Sequence, residues 1–127
     1  MPDFSQERIN ASVRSLSVAL LDASDFIKQS LSPAERKKSV QCAATIADSA
    51  DGIRAELAEA KKDAKVKSSL ELADHVQDVD ENLKLLRNLV KDFPKASDRK
   101  NIFEQMNARY AEVVKGLTVI LAEFSEN

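Results

Sequence analysis

The sequence predicts an all-α protein, an antiparallel up-down-up-down four-helix bundle, and three observations carry that expectation. The 127 residues include only two glycines and three prolines, and the prolines sit near points where helices start or stop. Between those points apolar residues recur at alternating spacings of three and four. That is the seam of a coiled-coil-like bundle and not the alternation of a strand. The breaks also divide the chain into stretches of nearly equal length, each about 40–48 Å long at 1.5 Å per residue. Equal helices joined by short loops suit an up-down-up-down bundle, here a single domain over residues 1–127.

The first helix is expected over residues 4–31, with Ile9, Val13, Leu16, Leu20, Ala23 and Ile27 inward. The second, over 33–63, opens on "SPAE", a capping box with Ser32 at the cap, Pro33 in the first helical position and Glu35 reaching back to the cap amide. Its inward residues, Ala43, Ile46, Ala50, Ile53, Leu57, Ala60 and Ala64, are unusually small. Alanines let a helix approach its neighbours closely while Ile46, Ile53 and Leu57 supply bulk. The third helix, over 66–93, reads Leu70, Ala73, Val76, Val79, Leu83, Leu86, Val90 and Phe93, with a stutter between Ala73 and Val79. It stops at "DFP", because the residue before proline is pushed out of the α region. The fourth, over 98–125, is capped by Ser97 or Asp98 and turns Met106, Tyr110, Val113, Leu117, Ile120 and Phe124 inward.

The link "KKDAKVK" holds neither glycine nor proline, so one continuous helix of about 60 residues is the rival for the middle of the chain. The apolar stripe changes phase between Ala64 and Val66, and a straight helix cannot keep both halves on one face. A turn is therefore expected there.

Apolar residues make up 43% and charged residues 31%, a balance that suits neither a disordered tail nor a membrane protein. Nineteen basic residues face twenty-one acidic ones, and no segment has the basic excess that nucleic-acid binding needs. The lone Cys42 makes no internal disulfide and favours a reducing, cytoplasmic setting. "MPDFSQERIN" lacks the basic and apolar regions of a signal peptide. The longest apolar runs, "VALL" and "VILA", are far too short for a membrane span. Neither nucleic acid nor integral membrane association is expected.

Catalytic and cofactor chemistry finds little to work with. One histidine, His75, cannot supply the paired Glu-x-x-His motifs of a di-iron bundle, and no zinc, calcium or phosphate-loop motif appears. Phosphotransfer through His75 is disfavoured by the carboxylates of Asp78 and Glu81 that follow it. No enzyme, metal or cofactor is expected. The organised surface features are an acidic ladder, Glu71, Asp74, Asp78 and Glu81, on one outer face of the third helix, and apolar residues outside the seam. Those are Val18, Leu21, Leu85 and Val119. Phe4, Val18, Leu21 and Val119 are expected to share a groove between the first and last helices, as a partner-binding patch would.

The alanine- and serine-rich stretch "VQCAATIADSADGIRAEL" resembles in texture the helical bundles of the talin and vinculin class. The vinculin-binding pattern of that class is not matched, because Asp48, Asp51 and Arg54 stand where it has apolar residues. "LSVALLDASDFIKQS" is closer to it through Leu16, Ala19, Leu20, Ala23, Ile27 and Ser30. The resemblance is one of fold and texture, and no family membership is read from it.

The expected function is a non-enzymatic, adaptor- or scaffold-type protein-binding module. Its partner would be another protein, met as a helix in a groove or as a basic segment on the acidic ladder, and a homodimer is compatible with this. Two alternatives stand beside it: a bundle that binds lipid or another apolar ligand, and a histidine phosphotransfer-like domain using His75.

Overall fold

A computed structural model of the chain describes residues 5–125. Its α-helices are α1 (Gln6–Ala23), α2 (Pro33–Ala60), the short α3 (Ala64–Lys67), α4 (Leu70–Asp92) and α5 (Arg99–Ser125). Tight 3₁₀ turns follow α1 at Ser24–Phe26 and α4 at Phe93–Lys95, and no strand occurs among the described residues. Phe4 and the expected helix start at residue 4 lie outside the described residues.

Helix starts follow cap chemistry. The Ser32–Glu35 box forms as its spacing requires: the Glu35 amide donates to Ser32 Oγ at 3.1 Å, and the Ser32 amide donates to Glu35 Oε1 at 3.0 Å. Ser5, Ser69 and Asp98 cap α1, α4 and α5 through the amides of Arg8, Leu72 and Asn101. The middle of the chain is not one helix. After Ala60 the chain turns, Asp63 Oδ1 takes the Lys65 amide to start α3, and Ser69 starts α4. Two side-chain caps thus do the work usually given to glycine or proline.

Three expectations fail for stated reasons. The first helix does not run to residue 31 but ends at Ala23, because Ser24 Oγ bonds back to the Leu21 carbonyl and the chain tightens. The carbonyls beyond are gathered by Arg99, from the far end of the chain. Its guanidinium donates to Phe26, Lys28, Gln29 and Ala96 carbonyl oxygens. Leu70 was expected inward, yet it is 81% exposed. With Ser69 as cap the buried row becomes Leu72, Val76, Val79, Leu83, Leu86, Val90 and Phe93. That row keeps unbroken four-three spacing, so the stutter vanishes. Ala64 is likewise exposed, and Val66 fills the space under the turn.

Contacts along α1 and α2 run in opposite senses. Cys42 Sγ donates to the Ala19 carbonyl, Ser49 Oγ meets Ser15 Oγ at 2.9 Å, and Glu56 holds Arg8. Between α2 and α4 the pairs are Asp51 with Arg87 and Arg54 with Asp80. Between α4 and α5, Arg109 donates to Asn82 and Gly116 lies against Val79. Gln6 and Arg99 tie α1 to the two ends of α5. The closest pairs are α1 with α2 and α4 with α5. Small residues accompany both: Ala19 and Ala23 are buried on α1 and Gly52 lies against Ser12 in the first pair, and Gly116 lies against Val79 in the second.

The two glycines are expected to respond differently to alanine. A Cβ on Gly116 would collide with Cγ2 of Val79, a buried side chain with one preferred rotamer in a helix. Overpacking of about 1–3 kcal/mol then outweighs the roughly 1 kcal/mol gained in helix propensity. A Cβ on Gly52 meets the Ser12 hydroxyl oxygen at 2.8 Å, and that group can rotate away. In thermal melts Gly116→Ala should unfold below the parent and Gly52→Ala at or above it.

Candidate interaction surface

Val18, Leu21, Leu85 and Val119 are all exposed, but they do not gather in one groove. Val18 lines a cleft between α1 and α2 with Ala11, Ala19 and Cys42. Val119 lines one between α4 and α5 with Leu72 and His75, and Leu85 lines another with Leu89, Ala108 and Arg109. The anchor points of α1 on α5, Gln6 at Ser125 and Phe26 at Arg99, put Val18 near the level of Tyr110, far along α5 from Val119. Leu21 stands on the outer surface of α1, 73% exposed.

The ladder residues Glu71, Asp74, Asp78 and Glu81 are exposed on α4, with Lys84 Nζ 3.8 Å from Glu81. Asp80, one step round the helix, is buried and engaged by Arg54 at 2.9 Å and Lys84 at 3.5 Å. Burial raises its carboxyl, but the hydrogen bond and charge of Arg54, with Lys61 and Lys84, outweigh that and leave it below the usual range. The Arg8 hydrogen bond holds Glu56 low against its burial, helped by the Ser5 amide and the Arg8 charge. Glu35, bound by Lys28 and the Ser32 cap, is lowered from 4.5 to about 2.

All three carboxyls titrate lower in the folded state than in the unfolded one. Each stabilises the fold above its unfolded value and loses that contribution as pH falls through the folded value. The urea midpoint is therefore expected to fall as pH drops from about 4.5 towards 2. Glu56→Gln should make that fall shallower.

His75 is half-buried in a cleft of about 290 Å³ beside Glu71, Leu72 and Glu123. Cys42 faces α1, where burial and the charges of Asp22 and Asp25 push its thiol up to about 11. It is protonated near neutral pH and poorly suited to act as a nucleophile. Among the described residues no three of His, Cys, Asp and Glu group so as to hold a metal ion, and no helix is long and apolar enough to cross a membrane.

The surface that sequence reasoning missed lies between α2 and α4. Val40, 57% exposed, stands beside Ala43, Ala44 and Ala47, with Val90 and Pro94 opposite. Together they line a cleft of about 310 Å³ rimmed by Arg87, Lys91 and Lys95. Its signal was present: counting four residues back from Ala43 reaches Ser39, which is fully buried and leaves Val40 outward. Arg87 is held by both oxygens of Asp51, at 2.8 and 3.0 Å, while Lys91 and Lys95 follow it along the same side of the groove. Compared with protein-family models, with curated proteins and with solved structures, the chain matches none of them.

Proposed function

We propose that the four long helices form an antiparallel up-down-up-down bundle and that this bundle is a non-enzymatic, cytoplasmic protein-binding module of adaptor or scaffold type. The observation that carries the reading is the α2–α4 groove, where exposed Val40 and Ala44 and partly exposed Ala47 stand over buried Ala43 between two helices. Small side chains let a partner's backbone approach closely, and a row spaced by three and four residues suits the apolar stripe of a helix. The bundle topology is supported by the opposed contacts of successive helices, from Arg8–Glu56 and Ser15–Ser49 to Asp51–Arg87 and Asn82–Arg109.

Ala44→Glu tests the binding role, since residue 44 is exposed and its change should leave the melting temperature nearly unaltered. Partners retained by the immobilised parent should be lost from Ala44→Glu and kept by Val18→Glu. Retention by both variants would refute the groove. Liposome flotation and phosphotransfer assays of His75→Ala separate the lipid-binding and phosphorelay alternatives.

A further inference from the structure

We propose that the occupant of the α2–α4 groove is an amphipathic helix with acidic flanks. The proposal rests on reading this groove as the docking site and adds the chemistry of its partner. From Val40 to Ala47 the floor extends two turns, about 11 Å at 1.5 Å per residue. Three apolar residues at spacings of three and four on a partner helix would cover it.

Charge decides between partners that share this apolar stripe. Lys91 and Lys95, four apart, stand on one rim. Arg36 and Lys37 are exposed one turn before Val40 and, by helical spacing, on its side of α2. None of these four cations has an ion-pair partner among the described residues. Attraction to the α4 dipole accounts for Lys91, in the last turn, but Lys95 lies beyond the helix. Three clefts on other faces mix their signs, Arg14 with Asp22, Lys65 with Glu71 and Glu123, Asp92 with Arg109, while a fourth, at the start of α4, holds Lys61 and Lys67 without a carboxylate. The α2–α4 cleft is likewise lined by cations without a carboxylate, and it alone sets them beside a helical row of valine and alanines, Val40, Ala43, Ala44 and Ala47. At its far end Asp51 neutralises Arg87, with Asp48 close enough to act on the same guanidinium. The partner's acidic flank therefore belongs at the Lys91–Lys95 end. A basic helix would be repelled there, and like-charge contacts discriminate strongly between partners.

The test uses two synthetic helices with the same alanine–leucine stripe, one flanked by glutamates and the other by lysines, titrated into the isotope-labelled full chain. The glutamate-flanked helix is expected to bind more tightly, to shift the amides of Val40, Ala44, Ala47 and Lys91, and to weaken as salt is raised. Reversing both cations, K91E with K95E, should lower its affinity about tenfold and favour the lysine-flanked helix. The substituted residues are exposed, so an unchanged melt is the control for folding. Equal binding of both helices in the groove would overturn the charge assignment while leaving the groove intact. If neither helix perturbs the groove, the docking reading itself fails. Lysine-dependent flotation with phosphatidylserine vesicles, with no groove response to the acidic helix, would replace the partner with a membrane surface and also overturn the proposal.

Discussion

Replacing Arg99 with methionine is expected to destabilise the protein by about 3 kcal/mol, well beyond the effect of an ordinary surface substitution. Arg99 is 8% exposed and has no carboxylate partner among the described residues. Its guanidinium is held instead by carbonyl oxygens, at 2.7 Å from Phe26, 2.9 Å from Ala96, 2.5 Å from Lys28 and 3.3 Å from Gln29. It stands in the first turn of α5, where the helix dipole disfavours a cation, so those carbonyls must offset both desolvation and dipole. Methionine keeps much of the stem but leaves the acceptors without a donor, and each one that water cannot reach costs about 1–3 kcal/mol. Lysine should not rescue it, because a compact ammonium lacks the planar fork that reaches carbonyls on two sides. Urea unfolding of R99M and R99K checks this. Parent-like stability of R99M would mean that the α1–α2 loop is held by something other than these bonds.

Leu117→Ala is expected to cost roughly 2–5 kcal/mol, through lost burial and the cavity left behind. Leu117 is buried, between Val113 and Ile120 in the row that α5 turns inward. Ser32→Ala is the matched comparison, since it removes one well-formed cap from α2 and should cost only about 1 kcal/mol. Denaturant curves for the pair rank core against cap. A larger loss at Ser32 than at Leu117 would show that the buried face of α5 contributes less than its exclusion of water implies.

Much of the helical framework was legible because its causes are local. The inward rows of α1 and α5 follow from residue spacing, and the capping box of α2 is written in four consecutive residues. Part of what could not be read depended on distance. The path of the chain beyond α1 is held by Arg99, more than seventy residues away in the chain, and no pattern near Ala23 announces it. Leu70 was misplaced because leucine at the edge of an apolar row resembles its first member; the cap at Ser69 decides, and it puts Leu72 inside. The surface patch was misread for a geometric reason. Val18, Leu21 and Val119 are outward as the helical period requires, yet which outward residues meet depends on the relative height of two helices. Val40 carries a weak signal in the sequence because alanines, not large apolar residues, surround it. Small side chains have two consequences on α2. On the α1 side they bring backbones close enough for Ser15 to meet Ser49; on the α4 side they leave a groove.

Both the groove and its proposed partner depend on α2 and α4 lying side by side with the start of one beside the end of the other. Spin labels at Lys38 and Lys91, read by pulsed electron resonance, measure this directly. Packed helices have axes about 8–10 Å apart. The antiparallel bundle therefore predicts a short label separation, about 10–25 Å once the label arms are added. A single helix running from Pro33 through Asp92 would hold the same two positions about 80 Å apart at 1.5 Å per residue. A separation of several tens of ångströms would contradict the bundle and remove the groove with it.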